Sequence, residues 1–111
     1  MNKTLQALSE PNRLRIVELL RDGPLSVGEV ANRLSFNQPQ ASKHLKVLME
    51  AGIVEVQVQA NRRIYKLRAE PFRELDSWVE SYRHIWEEKL DRLEEYLQQL
   101  QRKEDNHSDK K

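Results

Sequence analysis

The sequence predicts a mainly α fold with a small β component: short helices, one β-hairpin and a long last helix. Three observations carry that expectation. Apolar residues recur at three- and four-residue spacing through the first half of the chain, the period drops to two between Val54 and Leu67, and from Phe72 onward apolar residues return every seven positions. At 111 residues the chain is sized for one domain with little to spare.

Leu5 and Leu8 share a helical face in a short first segment that ends at Ser9-Glu10-Pro11, where proline suits the first turn of a following helix. From Pro11 to Arg21, Leu14, Val17, Leu19 and Leu20 repeat at helical spacing until Asp22-Gly23-Pro24 stops them. Ser26-Val27-Gly28-Glu29 has the form of a capping box, so a third helix of about two turns starts there with Val30, Ala31 and Leu34 as its apolar face. A fourth helix opens at Asn37, a capping residue, tolerates Pro39 in its first turn and runs to Gly52, which suits the left-handed position after a helix. Ala41, Leu45 and Leu48 form its apolar stripe. The opposite face carries Gln38, Ser42 and Lys46 in one row, with Pro39 and Lys43 beside it.

Beyond Gly52, Val54, Val56 and Val58 alternate with Glu55, Gln57 and Gln59, and Tyr65 and Leu67 flank Lys66, the pattern of a hairpin. Its connection, Ala60-Asn61-Arg62-Arg63, offers Asn61 for a positive φ and sets two arginines at the tip. From about Pro71 to Gln101 the pattern is one helix, with Phe72, Val79, Trp86, Leu93 and Leu100 each seven apart. Leu75 and Tyr82 are companions before Trp86, and Leu90 and Leu97 after it, because Lys89 holds the next place in the first series. At 1.5 Å per residue such a helix spans about 45 Å, more than the small body before it can cover, so a second chain is expected to bury part of its apolar face. Residues 102–111 carry no apolar side chain and are expected to form a disordered polar tail, leaving 1–101 as the folded domain.

Composition narrows the chemistry. No apolar run approaches the roughly 18 residues a membrane span needs, and Met1-Asn2-Lys3-Thr4-Leu5 lacks the apolar stretch of a secretory signal, so no membrane association and a cytoplasmic location are expected. Without cysteine there is no disulfide, thiolate metal site or thiol nucleophile. The three histidines are dispersed and no nucleophile–base pair stands out, so neither catalysis nor a cofactor is expected. The net charge of +1 hides a partition: residues 1–37 sum to +1, 38–68 to +4 and 69–111 to −4. A basic middle between neutral and acidic flanks points to an anion-binding surface, with nucleic acid the first candidate.

A short third helix, a tight turn, a polar-faced fourth helix and a hairpin together describe a winged helix-turn-helix with a long C-terminal dimerisation helix. In that arrangement the fourth helix enters the major groove of double-stranded DNA while the wing and helix termini hold phosphates. Gln38, Gln40, Ser42 and Lys43 are expected at base edges, with Lys46 on the same face, and Asn61, Arg62 and Arg63 at the wing. A homodimer is expected to be held by Phe72, Leu75, Val79, Tyr82, Trp86, Leu90, Leu93 and Leu97, with Leu5 and Leu8 contributing.

The stretches Ala7-Leu8-Ser9-Glu10-Pro11-Asn12-Arg13-Leu14-Arg15-Ile16, Leu25 to Leu34, and Gln40-Ala41-Ser42-Lys43-His44-Leu45-Lys46-Val47-Leu48 followed by Ala51-Gly52-Ile53-Val54 closely resemble the ArsR/SmtB family of bacterial repressors. Leu75-Asp76-Ser77-Trp78, Tyr82-Arg83, Trp86 and Leu90-Asp91-Arg92-Leu93 further resemble a branch with an extended last helix and no known metal requirement. The resemblance implies a transcriptional repressor whose base-edge contacts fall at Gln38, Ser42 and Lys43 and whose wing falls at Asn61 to Arg63. The family's thiolate box is absent from Leu25 to Ala31, and its last-helix zinc positions fall at Asp76, Trp78, Lys89 and Arg92, so metal control is not expected. What would release such a repressor from DNA is not written in the sequence.

Plainer readings compete at several positions. Lys43, Lys46, Arg62 and Arg63 could be an ordinary solvated surface, but they converge on one helix face and one hairpin. His44 sits toward the packed edge of its helix, which favours a structural hydrogen bond over a base contact. Glu80, His84, Glu87 and Glu88 share a helix face that could bind a hard metal, although glutamates near a histidine are commonplace on exposed helices. Trp78, Tyr82 and Trp86 could line a ligand pocket, yet aromatic residues on such a seam more often form a dimer core. The alternative function is a winged-helix protein-interaction module, which sequence-selective binding to a palindrome would separate from a repressor.

Overall fold

The computed structural model of the chain describes residues 1–108. The elements run α1 (Asn2–Leu8), α2 (Pro11–Leu20), β1 (Leu25–Ser26), α3 (Val27–Leu34), α4 (Gln38–Glu50), β2 (Val54–Gln59), β3 (Arg62–Leu67) and α5 (Ala69–Ser108). This is the expected winged helix-turn-helix, with one strand more than the sequence indicated.

Local chemistry explains the helix boundaries. The Glu10 carboxylate accepts from the Arg13 amide at 2.8 Å and opens α2, with Pro11 in the first turn. Ser26 and Glu29 form the reciprocal capping box of α3: the Glu29 amide donates to Ser26 Oγ and the Ser26 amide to Glu29 Oε1, each at 3.2 Å. Asn37 Oδ1 accepts from the Gln40 amide at 2.8 Å and opens α4. α4 then closes in a Schellman motif, because the Gly52 amide donates to the Met49 carbonyl and the Ile53 amide to the Leu48 carbonyl, both at 3.0 Å, while Gly52 takes a φ of 78°. Leu48 and Ile53, the apolar pair that accompanies this motif, are fully buried.

The sheet is antiparallel in the order β1-β3-β2. β3 is central, with Tyr65 opposite both Leu25 and Val56. β1 has only two residues, too few for a period-two pattern, and exists because β3 supplies its partners. At the hairpin tip the positive φ falls on Ala60 (55°) and not on Asn61, and Arg62 already belongs to β3. Val54, Val56 and Val58 grade from buried to 70% exposed, because the core underlies only the base of the hairpin.

Ile16, Val30, Leu45, Leu48, Ile53 and Val54 form the fully buried centre, and Ala7, Val17, Leu20, Leu25, Ala31, Ala41 and Tyr65 surround it. Each large aliphatic side chain contributes about 1.5–3 kcal/mol by leaving water. α2 buries Ile16, Val17 and Leu20, whereas Leu14, expected on the apolar stripe, is 40% exposed. α1 buries Thr4 and Ala7; Leu5 stays exposed and Leu8 is partly buried.

Residues 1–75 form one compact unit, and the rest of α5 from Asp76 forms another. Phe72, placed in the dimer seam by its spacing, is partly buried and packs against the core of the first unit, and Leu75 is partly buried. α5 continues through Ser108, so residues 102–108 are helical where a disordered tail was expected. Arg102-Lys103-Glu104-Asp105 follows Gln101 with no proline or glycine to stop it. The last expected tail residues, 109–111, lie outside the described residues.

Candidate nucleic-acid interface

α4 separates two chemistries by face. Ala41, Leu45 and Leu48 are fully buried, while Gln38, Gln40, Ser42, Lys43 and Lys46 are exposed. The periodicity that buries one row necessarily presents the other. His44 lies between them with only 14% of its side chain exposed, its Nδ1 3.8 Å from Glu10 Oε2 and its ring centroid 5.9 Å from that of Phe36. It links α4 to the start of α2 and to the turn before α4.

Two arginines of the second helix, which the sequence left without a role, set the frame beneath this face. Arg13 Nε donates to the Ala7 carbonyl at 2.7 Å and Nη2 to the Gln6 carbonyl at 3.4 Å, satisfying carbonyls at the end of α1. Arg15 lies 5.3 Å from the Phe36 ring centroid, and its Nη2 donates to the Leu34 carbonyl at 3.4 Å. The turn between α3 and α4 is thereby tied to α2. A basic residue near each tight turn is a signal, but its acceptors are backbone carbonyls that no residue pattern marks.

At the wing Asn61, Arg62 and Arg63 are exposed and, with Ser26, Val27 and Gly28, border a cleft of about 460 Å³. Arg62 is engaged within the chain. Its Nη2 donates to Ser26 Oγ at 3.3 Å and to Glu29 Oε1 at 3.2 Å, joining the wing to the capping box of α3. The Ser26 amide first, then its hydroxyl, and then the charges of Arg62 and Arg33 hold the Glu29 carboxyl below its ordinary range. Elsewhere on the hairpin Lys66 pairs with Glu55 across the strands at 3.1 Å, and Arg68 with Glu70 at 3.7 Å. The basic surplus of the middle segment therefore rests on Lys43, Lys46 and Arg63, with Arg62 shared.

In the second unit the apolar positions of α5 are open to solvent. Val79, Tyr82, Trp86, Leu90, Leu93 and Leu97 are 44–59% exposed. Trp78, Ile85 and Tyr96, absent from the expected contact set, are exposed beside them, and Tyr96 resumes the companion series that Lys89 interrupts. Lys89 Nζ lies 5.3 Å from the Trp86 ring centroid, so its stem runs beside the aromatic surface. Glu80 pairs with Arg83 at 3.0 Å and Glu88 with Arg92 at 3.9 Å. Among the described residues no three His, Asp or Glu side chains are gathered as a metal-ligand set.

A helix-turn-helix domain family matches residues 8–57, which covers α2 through most of β2. The HTH-type transcriptional regulator Rv2034 of Mycobacterium tuberculosis is 44% identical over 60% of this chain and 62% of its own length. The arsenical resistance operon repressor of Staphylococcus xylosus is 33% identical over 63% of this chain and 67% of its own. The solved ArsR family transcriptional regulator RHA00566 superposes with a TM-score of 0.68 at 29% identity over 78% of this chain and 89% of its own. The chain belongs to the ArsR/SmtB family of winged helix-turn-helix regulators. The homodimeric winged helix-turn-helix DNA-binding domain of Mb0332 from Mycobacterium bovis, described as a possible ArsR-family regulator, superposes with a TM-score of 0.63 at 28% identity over 73% of this chain and 75% of that one. The matched part of this ArsR-family chain thus spans about three fifths of Rv2034 and three quarters of the Mb0332 domain.

Proposed function

We propose that the chain is a homodimeric transcriptional repressor that binds a palindromic operator in double-stranded DNA without metal control. The carrying observation is α4, whose fully buried Ala41, Leu45 and Leu48 back a face of Gln38, Gln40, Ser42, Lys43 and Lys46. Amide side chains and lysine suit base edges in a major groove, and arginines and helix termini suit phosphates. The exposed apolar row of α5 supports pairing with a second copy, as does the homodimeric relative from Mycobacterium bovis. Two such chains would present two recognition helices about one turn of DNA apart, which calls for an inverted repeat. The missing thiols, the cations at Lys89 and Arg92 and the ion pairs of Glu80 and Glu88 support operation without a metal.

Fluorescence anisotropy on duplexes from the region upstream of the gene, with chelator and with added zinc, tests this reading. Binding to one palindromic duplex about 10³-fold or more tighter than to a scrambled duplex is expected. Equal affinity for both would favour a protein-interaction module. Stoichiometric bound metal whose removal shifts affinity by more than about tenfold, roughly 1.4 kcal/mol of coupling, would overturn the metal-independent part.

A further inference from the structure

We propose that Glu29 is the positioning residue of the wing: it anchors Nη2 of the Arg62 guanidinium to the start of α3 so that a remaining N–H donor meets a DNA phosphate. This rests on the DNA-binding reading above and adds to it a residue outside the contact surface.

The geometry carries the proposal. Arg62 Nη2 donates to Ser26 Oγ at 3.3 Å and to Glu29 Oε1 at 3.2 Å, and these same two groups make the capping box that starts α3. A guanidinium has five N–H donors on three nitrogens, and Nη2 supplies two of them. Among the described residues Nε and Nη1 have no acceptor, so three donors remain, and one of them can make a charge-assisted hydrogen bond to a phosphate. The side chain is 63% exposed, so the anchor does not bury it. Much of the rotamer freedom that an exposed arginine loses on gripping a phosphate has thereby been given up before DNA arrives. Glu29 can hold this post beside a polyanion because the Ser26 amide and the N-terminal end of α3 already balance its charge. Arg63, the next residue, has no ion pair or hydrogen bond through its side chain among the described residues, so the two wing arginines are unequal: one is set in place and one is free.

A double-mutant cycle tests this on the palindromic duplex, with wild type, Glu29→Gln, Arg62→Ala and the double variant measured by anisotropy over a salt series. Glutamine preserves the form of the capping box, and any residual folding cost is common to both backgrounds and cancels in the cycle. Glu29→Gln is expected to weaken binding about three- to tenfold, the range set by ordering one rotamer-rich side chain, with the salt slope unchanged. Arg62→Ala is expected to reduce the slope by about 0.9, one phosphate contact, and Glu29→Gln added to it should change nothing further. Removing an acid near DNA through charge alone would tighten binding, so a loss is diagnostic. Tightening, no change, or an equal loss in both backgrounds would overturn the proposal. A wild-type protein that binds no duplex would overturn the DNA-binding reading and this proposal with it, whereas wild-type binding with an unaffected Glu29→Gln variant overturns this proposal alone.

Discussion

Ser35 ends α3 at φ 58° and ψ 38°, while the next amide, of Phe36, donates to the Ala31 carbonyl at 2.9 Å. A β-carbon in that left-handed conformation costs about 1–2 kcal/mol, of which glycine recovers part after its own larger loss of chain entropy. Ser35→Gly is therefore expected to stabilise the protein by about 0.5–1 kcal/mol in urea unfolding; a destabilised variant would mean that the hydroxyl has a role beyond the turn. Glu29 makes a second prediction at this scale. Its carboxyl is held below the ordinary 4.5, so it adds stability above that value and loses it as pH falls through the folded value. The stability gap between wild type and Glu29→Gln should thus narrow as pH falls below the ordinary 4.5, and a gap that widens in acid would reverse the assignment. Both the Ser26 capping box and the Gly52 terminus were legible in the sequence because each is a contact within one turn. The Glu29–Arg62 link was not, since 33 residues separate its partners and only the β1-β3 pairing brings them together.

The elements differ in how much of themselves they declare. α4 was readable on both faces, because three apolar residues at helical spacing fix which side is buried. α2 was ambiguous, since Leu14, Ile16, Val17, Leu19 and Leu20 satisfy more than one helical stripe and the tertiary environment selects Ile16, Val17 and Leu20. β1 could not be read at all, for a two-residue strand has no periodicity of its own. The roles proposed for α4 and the wing yield a third prediction. Replacing Arg62 and Arg63 together with alanine should weaken binding to all duplexes about equally and flatten the salt dependence, because phosphate contacts carry no sequence code. Gln38→Ala or Ser42→Ala should instead relax the preference at particular bases, each by about 1–3 kcal/mol. A wing variant that changed the preferred sequence at an unaltered salt slope would exchange these roles.

For the whole molecule the decisive element is α5. The sevenfold apolar repeat announced it, but Phe72 could not be told from its seam neighbours by spacing, although it alone of the sevenfold series packs against the core of the first unit. Trp86, 59% exposed in the single chain, is the largest apolar side chain on the row. Trp86→Ala should weaken the proposed homodimer by about 2–4 kcal/mol if the residue occupies the interface centre, seen as a shift toward monomer in sedimentation velocity. An unchanged profile would assign pairing to other residues. On the proposed pairing, the protein's own abundance becomes a variable in its survival. Dilution would leave Tyr82, Trp86 and Tyr96 open to a chymotrypsin-like protease, and accumulation would shield them, so the half-life in limited proteolysis should lengthen as concentration rises. A repressor built this way would clear its own stragglers and keep its assembled form.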